Sequence, residues 1–150
     1  RQRTGHDRGG DQPFCLALVL VHGINVRPGK PTILAVCDGK PMIGLPGNPV
    51  STLVIAHLFV TPLLHTLSGA SDPLPTPAFQ ATLTVNLPSV AGRDDFIPIR
   101  LIRQGEQWLI DPIFFKSSLI FTLAKSDGLL HIPAQVTGYS AGDLVEVLIL

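Results

Sequence analysis

The chain has 150 residues, 45% of them hydrophobic, which is enough for one full core or for two small ones. Lysine plus arginine and aspartate plus glutamate number 11 each, so the formal net charge is zero, and no global field favours nucleic acid or a membrane surface. Any anion site must therefore be local. The 14 prolines and 14 glycines indicate many turns rather than disorder, because the apolar fraction is too high for a disordered chain.

The remaining compositional signals favour a soluble intracellular protein without a metal site. Cys15 and Cys37 lie in apolar runs without metal-type spacing, which predicts buried free thiols in a reducing cytosol. The five histidines are scattered and form no metal-binding motif. The longest apolar run, residues 50–64, is too short and too polar to predict a transmembrane span. We therefore expect a cytoplasmic location.

The first third of the chain predicts three strands. Residues 1–13 are polar without a period and are expected to be a loose lead-in, whereas residues 14–21 are continuously apolar. Such a run fits a strand covered on both faces, with a buried helix as the alternative. Two further strands are predicted at residues 32–37 and 41–45, joined by Asp38-Gly39, a preferred type I′ turn. They should run antiparallel, which places the turns before and after this hairpin at the same end.

The turn before the hairpin carries two cations. Arg27-Pro28-Gly29-Lys30-Pro31 holds Arg27 and Lys30 on either side of a Pro-Gly turn, and the prolines fix φ and stiffen it. Arginine offers a planar fork to an oxyanion, and lysine offers a compact charge. Taken alone, the motif is also typical of a solvated basic turn.

The turn after the hairpin predicts the start of a helix. Asn48 is a favoured N-cap, Pro49 suits the first helical position, and the Ser51 hydroxyl lies in the first turn. First-turn amides and the helix dipole can bind an anion, although a strand–turn–helix connection is also common in α/β proteins that bind no anion there. The helix is apolar nearly all round, which predicts burial or a position between layers. Pro62 should kink it or end its regular part.

A proline-rich segment separates two predicted domains. Residues 70–77 hold three prolines at alternate positions, typical of an extended linker, so residues 1–69 form an α/β piece and residues 78–150 a second domain. In the second domain, alternating hydrophobicity predicts a strand at residues 79–87, and residues 119–125 suit a short helix. Several short strands favour a small barrel or sandwich; the others are predicted at residues 96–103, 107–114, 129–132 and 143–150.

The ordered pair RPGKP and GLPGNPVS resembles the C-terminal half of the molybdopterin molybdenumtransferases, which are the MoeA proteins of bacteria and the gephyrin E domain of animals. Gly92-Arg93-Asp94-Asp95-Phe96 fits a family pattern, as do residues 117–129 (with Ser126 where alanine is usual) and residues 141–147. The resemblance runs from about Val21 to Leu150. It implies an α/β plus all-β fold, namely the C-terminal part of a MoaB/MogA-like domain followed by a small β-barrel like MoeA domain IV.

The resemblance also implies a function, the insertion of molybdate into adenylylated molybdopterin during molybdenum cofactor biosynthesis. The implied ligands are molybdopterin as substrate, molybdate and Mg²⁺, and the full-length protein is expected to be a cytoplasmic homodimer without nucleic-acid or membrane partners. No catalytic residue and no metal ligand is assigned. The residues implied to border the molybdate and pterin-phosphate pocket are Arg27, Lys30, Pro31, Asn48, Pro49, Ser51, Arg93 and a serine at 117 or 118, taken as Ser118.

The family pattern is incomplete here. Gly9-Gly10-Asp11-Gln12 holds only the two glycines of the family's G-G-x-S-x-G-x-x-D loop, and the acidic magnesium ligands are expected in an upstream part that the chain lacks. Three hypotheses therefore stay open: a C-terminal fragment of the enzyme, a non-catalytic oxyanion- or protein-binding module, and an inactive truncated product. Molybdate, sulfate and phosphate have similar shape and charge, so these residues alone do not distinguish them.

Overall fold

A computed structural model describes residues 17–71, 78–114 and 126–149. These segments form a three-stranded antiparallel sheet, a long helical segment and a closed β-barrel. The helical segment consists of α1 (Pro49–Ile55), a π-helical turn (Ala56–Val60) and α2 (Thr61–Leu67). The strands are β1 (Ala17–His22), β2 (Val26–Arg27), β3 (Ile33–Cys37), β4 (Lys40–Gly44), β5 (Ala78–Leu83), β6 (Leu87–Pro88), β7 (Asp94–Gln104), β8 (Gln107–Pro112), β9 (Gly128–Ile132), β10 (Gly138–Tyr139) and β11 (Leu144–Ile149).

The hairpin of β3 and β4 forms as the sequence predicts. Cys37 pairs with Lys40, and the two loop residues, Asp38 and Gly39, have φ values of +49° and +74°. Positive φ at both central residues is the signature of a type I′ turn. Because Ile33 pairs with Gly44 at the other end of the hairpin, the basic turn and the helix start lie at the same end of this sheet.

Two predictions for this sheet are wrong. β1 is an edge strand antiparallel to β3, and its Leu18, Val19 and Leu20 are 64%, 54% and 60% exposed, because no described element covers them. A strand covered on both faces was expected. Cys37 is half-buried and disulfide-bonded instead of being a buried free thiol, whereas Cys15 lies outside the described residues.

The helical segment changes its geometry just before Pro62. The Thr61 N–H donates to the Ala56 carbonyl five residues back, which is the π-helical spacing. Pro62 has no N–H to continue the α-helical ladder and its ring crowds the preceding turn. The predicted disturbance at Pro62 is therefore confirmed, and it takes the form of a widened turn.

The helical segment buries one face only. Val50, Val54 and Ile55 are buried, whereas Leu53 and Leu64 are 48% and 60% exposed. The prediction of a helix buried or wedged between layers is therefore wrong. Residues Pro49–Leu67 have a mean hydropathy of 1.7 with 22% of the window buried, and by length and composition alone they are sufficient to cross a membrane. This differs from the sequence prediction, which judged the shorter apolar run inadequate.

The barrel confirms the predicted all-β second part. Its strands follow the order β7-β8-β5-β11-β9, and pairing of β7 with β9 closes it. Aliphatic side chains such as Ile99, Ile110 and Leu130 fill the interior. The strand predicted at residues 79–87 is split into β5 and β6. The helix predicted at 119–125 and most of the predicted linker lie outside the described residues, so the domain boundary stays a prediction.

The basic turn is attached directly to the barrel. β2 pairs in parallel with the start of β7, placing Val26 opposite Asp94 and Arg27 opposite Asp95. Beside this pairing, Val54 of α1 packs with Phe96 and Leu129 of the barrel in one buried cluster. The sheet–helix piece and the barrel therefore meet at the residues that carry the predicted site.

Candidate anion-binding cleft

Backbone and side-chain hydrogen bonds hold the basic turn in shape. Thr32 is fully buried, and its Oγ1 and N–H both donate to the Gly29 carbonyl, at 2.7 and 3.1 Å. The Ile24 N–H donates to the Lys30 carbonyl at 3.0 Å. The Arg27–Pro28 peptide bond is cis. The hydrogen bonds of Thr32 and Ile24 brace the loop that presents Arg27 and Lys30.

Four of the predicted site residues line one cavity of about 430 Å³. Arg27, Lys30 and Pro31 come from the basic turn, and Arg93 comes from the segment before β7. The volume is sufficient for a small-molecule ligand. Among the described residues, three cationic side chains and no carboxylate contribute to the lining, and the other lining residues are Ile24, Asn25, Val26, Gly29, Val90, Ala91 and Gly92.

A buried carboxylate lies behind two of these cations. Asp95 is completely buried, and Arg27 donates from Nη2 to its Oδ2, while Arg93 donates from Nε to its Oδ1 at 3.1 Å. Ser89 Oγ donates to Oδ2 at 2.6 Å. A guanidinium has five N–H donors, so within the described chain each arginine has four that are not used on Asp95. Asp95 therefore holds both arginines in place and leaves most of their N–H donors for other acceptors.

The helix start is capped as predicted. Asn48 Oδ1 accepts from the N–H groups of Val50 and Ser51, at 3.0 and 3.3 Å. The Thr52 N–H donates to the Asn48 carbonyl at 2.9 Å, and Pro49 has no N–H. The first-turn amides are thus already engaged, and the predicted amide donors to an anion are occupied in this arrangement.

The other predicted site residues lie beside the cation-lined cavity or outside the described chain. Asn48, Pro49 and Ser51 are absent from its lining, and Ser51 is only 8% exposed. An adjoining cavity of about 360 Å³ is lined by Val50 of α1 together with Arg27 and Pro28. Binding roles for these helix-start residues stay predictions, and Ser118 lies outside the described residues.

Asp95 and Ser89 are the residues that the sequence prediction missed. Along β7, Asp95 shares the barrel-facing side with Ile97 and Ile99, because alternate residues of a strand point to the same face. An acidic residue in line with core positions must find partners, since an unpaired buried charge is costly. This register is the sequence signal for Asp95, whereas the family pattern points to the neighbouring Arg93.

The described residues do not suit a divalent metal ion. Within residues 17–71, 78–114 and 126–149, no group of three or more His, Cys, Asp or Glu side chains could hold one. Mg²⁺ prefers oxygen ligands, chiefly carboxylates, whereas the described lining of the cavity is cationic. The cavity fits an anion and does not fit magnesium.

Both parts of the chain match known families. Residues 80–150 match the MoeA C-terminal region (domain IV), and residues 7–66 match the model described as "Probable molybdopterin binding domain". The chain is 34% identical to molybdopterin molybdenumtransferase 2 of Mycobacterium tuberculosis over 93% of this chain and 33% of that protein. It is 32% identical to the molybdopterin molybdenumtransferase of Haemophilus influenzae over 83% of this chain and 31% of that protein.

The fold comparison agrees with the sequence matches. The crystal structure of the molybdopterin biosynthesis MoeA protein of Pyrococcus horikoshii superimposes with a TM-score of 0.73 and 38% identity, over 87% of this chain and 32% of that chain. The chain therefore spans about a third of the length of the relatives that it matches.

Proposed function

The chain belongs to the MoeA family of molybdenum cofactor biosynthesis proteins, and we propose that it supplies the molybdate-binding part of a molybdopterin molybdenumtransferase. In this proposal, the longer protein inserts molybdate into adenylylated molybdopterin. The cleft between the basic turn and the barrel receives the molybdate and the phosphate of the pterin substrate.

The charge of the cleft is the observation that carries the proposal. Arg27, Lys30 and Arg93 line the cavity, and Asp95 behind them offsets one of their charges. The excess of two positive charges matches a tetrahedral dianion such as molybdate. Ion pairing of this kind is strongest where the surroundings exclude water.

Each cation has a defined task in this proposal. The arginines, fixed on Asp95 through one N–H each, offer planar forks to two oxyanion edges. Lys30 adds a mobile point charge that can follow either molybdate or the pterin phosphate. By offsetting negative charge, the three side chains lower the repulsion between two anionic substrates that must approach one another. Pro31, Asn48, Pro49, Ser51 and Ser118 are proposed to complete the border of the pocket.

Calorimetric titration with sodium molybdate tests the binding step. We expect Lys30→Ala to weaken binding by roughly 1.5–3 kcal/mol, the range for hydrogen bonds to charged groups. Lys40→Ala is the matched control, because it removes the same charge at the opposite end of the hairpin, where Lys40 is exposed. Equal affinities of wild type and Lys30→Ala would remove Lys30 from the site, and a wild-type chain without molybdate affinity would overturn the binding proposal.

An insertion assay separates the enzyme from a binding module. The chain is combined with a separately produced N-terminal part of a relative, and molybdenum transfer to adenylylated molybdopterin is measured with and without Mg²⁺. Transfer that needs both parts supports the enzyme proposal. Molybdate binding without transfer would favour the non-catalytic module, and neither activity would favour the inactive product. No step through magnesium is assigned to the described residues, which do not fit it.

The proposed assembly is a homodimer of the longer protein. The exposed Leu18, Val19 and Leu20 on β1 support further packing of this part of the fold, because contiguous exposed apolar surface is uncommon on soluble monomers. Sedimentation velocity over a range of protein concentrations checks the assembly state. The cytoplasmic location and the absence of nucleic-acid or membrane partners stay predictions.

A further inference from the structure

Asp95 is a fully buried charged residue beside the cleft. We propose that Asp95 is a positioning residue that fixes the guanidinium groups of Arg27 and Arg93 for binding a tetrahedral dianion. This inference deepens the molybdate-binding proposal and rests on it.

Asp95 joins cations from the two parts of the chain. Its Oδ2 accepts from Arg27, which lies directly opposite Asp95 in the β2–β7 pairing, and its Oδ1 accepts from Arg93. Each carboxylate oxygen therefore holds one guanidinium. Without Asp95, the two arginines would be long side chains that are 48% and 35% exposed, and ordering them on a ligand would cost conformational entropy at the moment of binding.

The carboxylate is itself held in place. Ser89 Oγ donates to Asp95 Oδ2 at 2.6 Å, and the backbone of Asp95 is paired with Arg27 on one side and with Ile132 of β9 on the other. Asp95 therefore lies on a strand bonded along both edges. Sites built on such elements hold their side chains more precisely than sites on loops.

A charge effect and a positioning effect predict opposite changes in anion affinity when the Asp95 carboxylate is removed. If only the summed charge of the cleft mattered, removing the Asp95 carboxylate would strengthen anion binding, since one negative charge beside the anion disappears. If Asp95 acts by fixing the two guanidinium groups, its removal weakens anion binding despite the added positive charge. The sign of the change in affinity therefore identifies the mechanism.

Asp94 provides a matched control one residue away. Its side chain pairs with His131, with 2.8 Å between Asp94 Oδ1 and His131 Nε2, and it is absent from the cation-lined cavity. Asp94→Asn removes the same charge from the same strand without releasing Arg27 or Arg93. Any difference between the two variants therefore reports on the arginines and not on the overall charge.

The test titrates the full chain with sodium molybdate by calorimetry. For Asp95→Asn we expect Kd to rise by about 10- to 100-fold, as for losing hydrogen bonds to a charged group, with Asp94→Asn within about 3-fold of wild type. The folded fraction of each variant, measured by circular dichroism, accompanies each Kd, because reversible partial unfolding raises the apparent Kd by the reciprocal of that fraction. An unchanged or lower Kd in folded Asp95→Asn would overturn the positioning role.

Two further variants keep the test decisive if Asp95→Asn does not fold. Asp95→Glu keeps the charge but displaces the carboxylate by one methylene. Ser89→Ala removes one hydrogen bond to Asp95 Oδ2, and we expect it to raise Kd by about 2- to 10-fold. Wild-type affinity in both would overturn the proposal.

Nuclear magnetic resonance of the ligand-free chain separates this inference from the proposed function. We expect slowed guanidinium rotation at Arg27 and Arg93 in wild type and in Asp94→Asn, and fast rotation in Asp95→Asn or Asp95→Glu. Fast rotation in wild type would refute positioning whatever the ligand. Restrained arginines in a chain that does not bind molybdate would instead refute the molybdate proposal alone.

Discussion

Gly29 is the residue that lets the basic turn approach the helix. A Cβ built on it would lie 2.4 Å from Ile55 Cδ1 and 2.7 Å from Ile55 Cγ1, and its φ is +140°. Both the space and the backbone angle therefore require glycine. The close approach of Gly29 to Ile55 also positions Arg27 and Lys30, because these residues are separated from Gly29 by at most one residue.

We expect Gly29→Ala to lower the free energy of unfolding by roughly 1–3 kcal/mol, the usual cost of overpacking a filled core. Chemical denaturation followed by circular dichroism measures it. Gly47→Ala is the matched control, because a Cβ there meets nothing within 4 Å. Equal stability of the two variants would show that the turn moves away from Ile55 without cost.

The residues in and beside the cleft differ in how far their local structure could be predicted from the sequence. The basic turn that holds Arg27 and Lys30 and the helix cap at Asn48 follow from local turn and capping rules, so their local structure could be predicted from neighbours in sequence. Asp95 is defined by partners up to 68 residues away. Its buried pairing depends on the parallel contact of β2 with β7, which no local pattern encodes.

At the level of elements, α1 depends on its cap. Asn48 supplies the side-chain acceptor for two first-turn amides, and the turn before it is tied to the helix by Thr52 Oγ1, which donates to the Pro46 carbonyl. The helix start is therefore fixed from both sides of Asn48. Uncapping it should fray the first turn, where the predicted Ser51 lies.

For Asn48→Ala we expect a loss of about 1 kcal/mol in unfolding free energy, and for Asn48→Gly only a few tenths. Molybdate affinity measured on the same proteins decides whether the helix start also belongs to the site. If it does, Asn48→Ala lowers the affinity along with the stability. A destabilised variant with wild-type affinity would leave Asn48 as a structural cap only.

At the level of elements, hydrophobic pattern predicted β-strands better than it predicted burial. The continuous apolar run at β1 and the nearly all-round apolar helix both led to an expectation of double-sided cover, yet both expose leucines here. The hydrophobic pattern of a segment shows which residues need apolar cover, but it does not show whether another part of the chain supplies that cover. The sequence matches, which span about a third of the relatives' length, show how much of those proteins has no counterpart in this chain.

At the scale of the whole molecule, a mixed polar and apolar interface joins the two described parts of the chain. The pairing of β2 with β7, the Arg27–Asp95 ion pair and the cluster of Val54, Phe96 and Leu129 all join the sheet–helix piece to the barrel. Leu129 is completely buried there and belongs to β9. Because the cation-lined cavity draws residues from both parts, its shape depends on this interface remaining closed.

We therefore expect the two parts to unfold together. Leu129→Ala should cost about 2–5 kcal/mol, the range for truncating a buried leucine, whereas Leu144→Ala, at 63% exposure, should stay within about 0.5 kcal/mol of wild type. Fluorescence of the single tryptophan, Trp108 on β8, reports on the barrel, and circular dichroism at helical wavelengths reports on the helical segment. Coincident midpoints that shift equally in Leu129→Ala are the expected result, since cooperative unfolding moves all probes together. If the helix signal melts first in wild type and Leu129→Ala moves only the barrel transition, the interface does not couple the two parts, and the cleft is lost with the helical segment while the barrel is still folded.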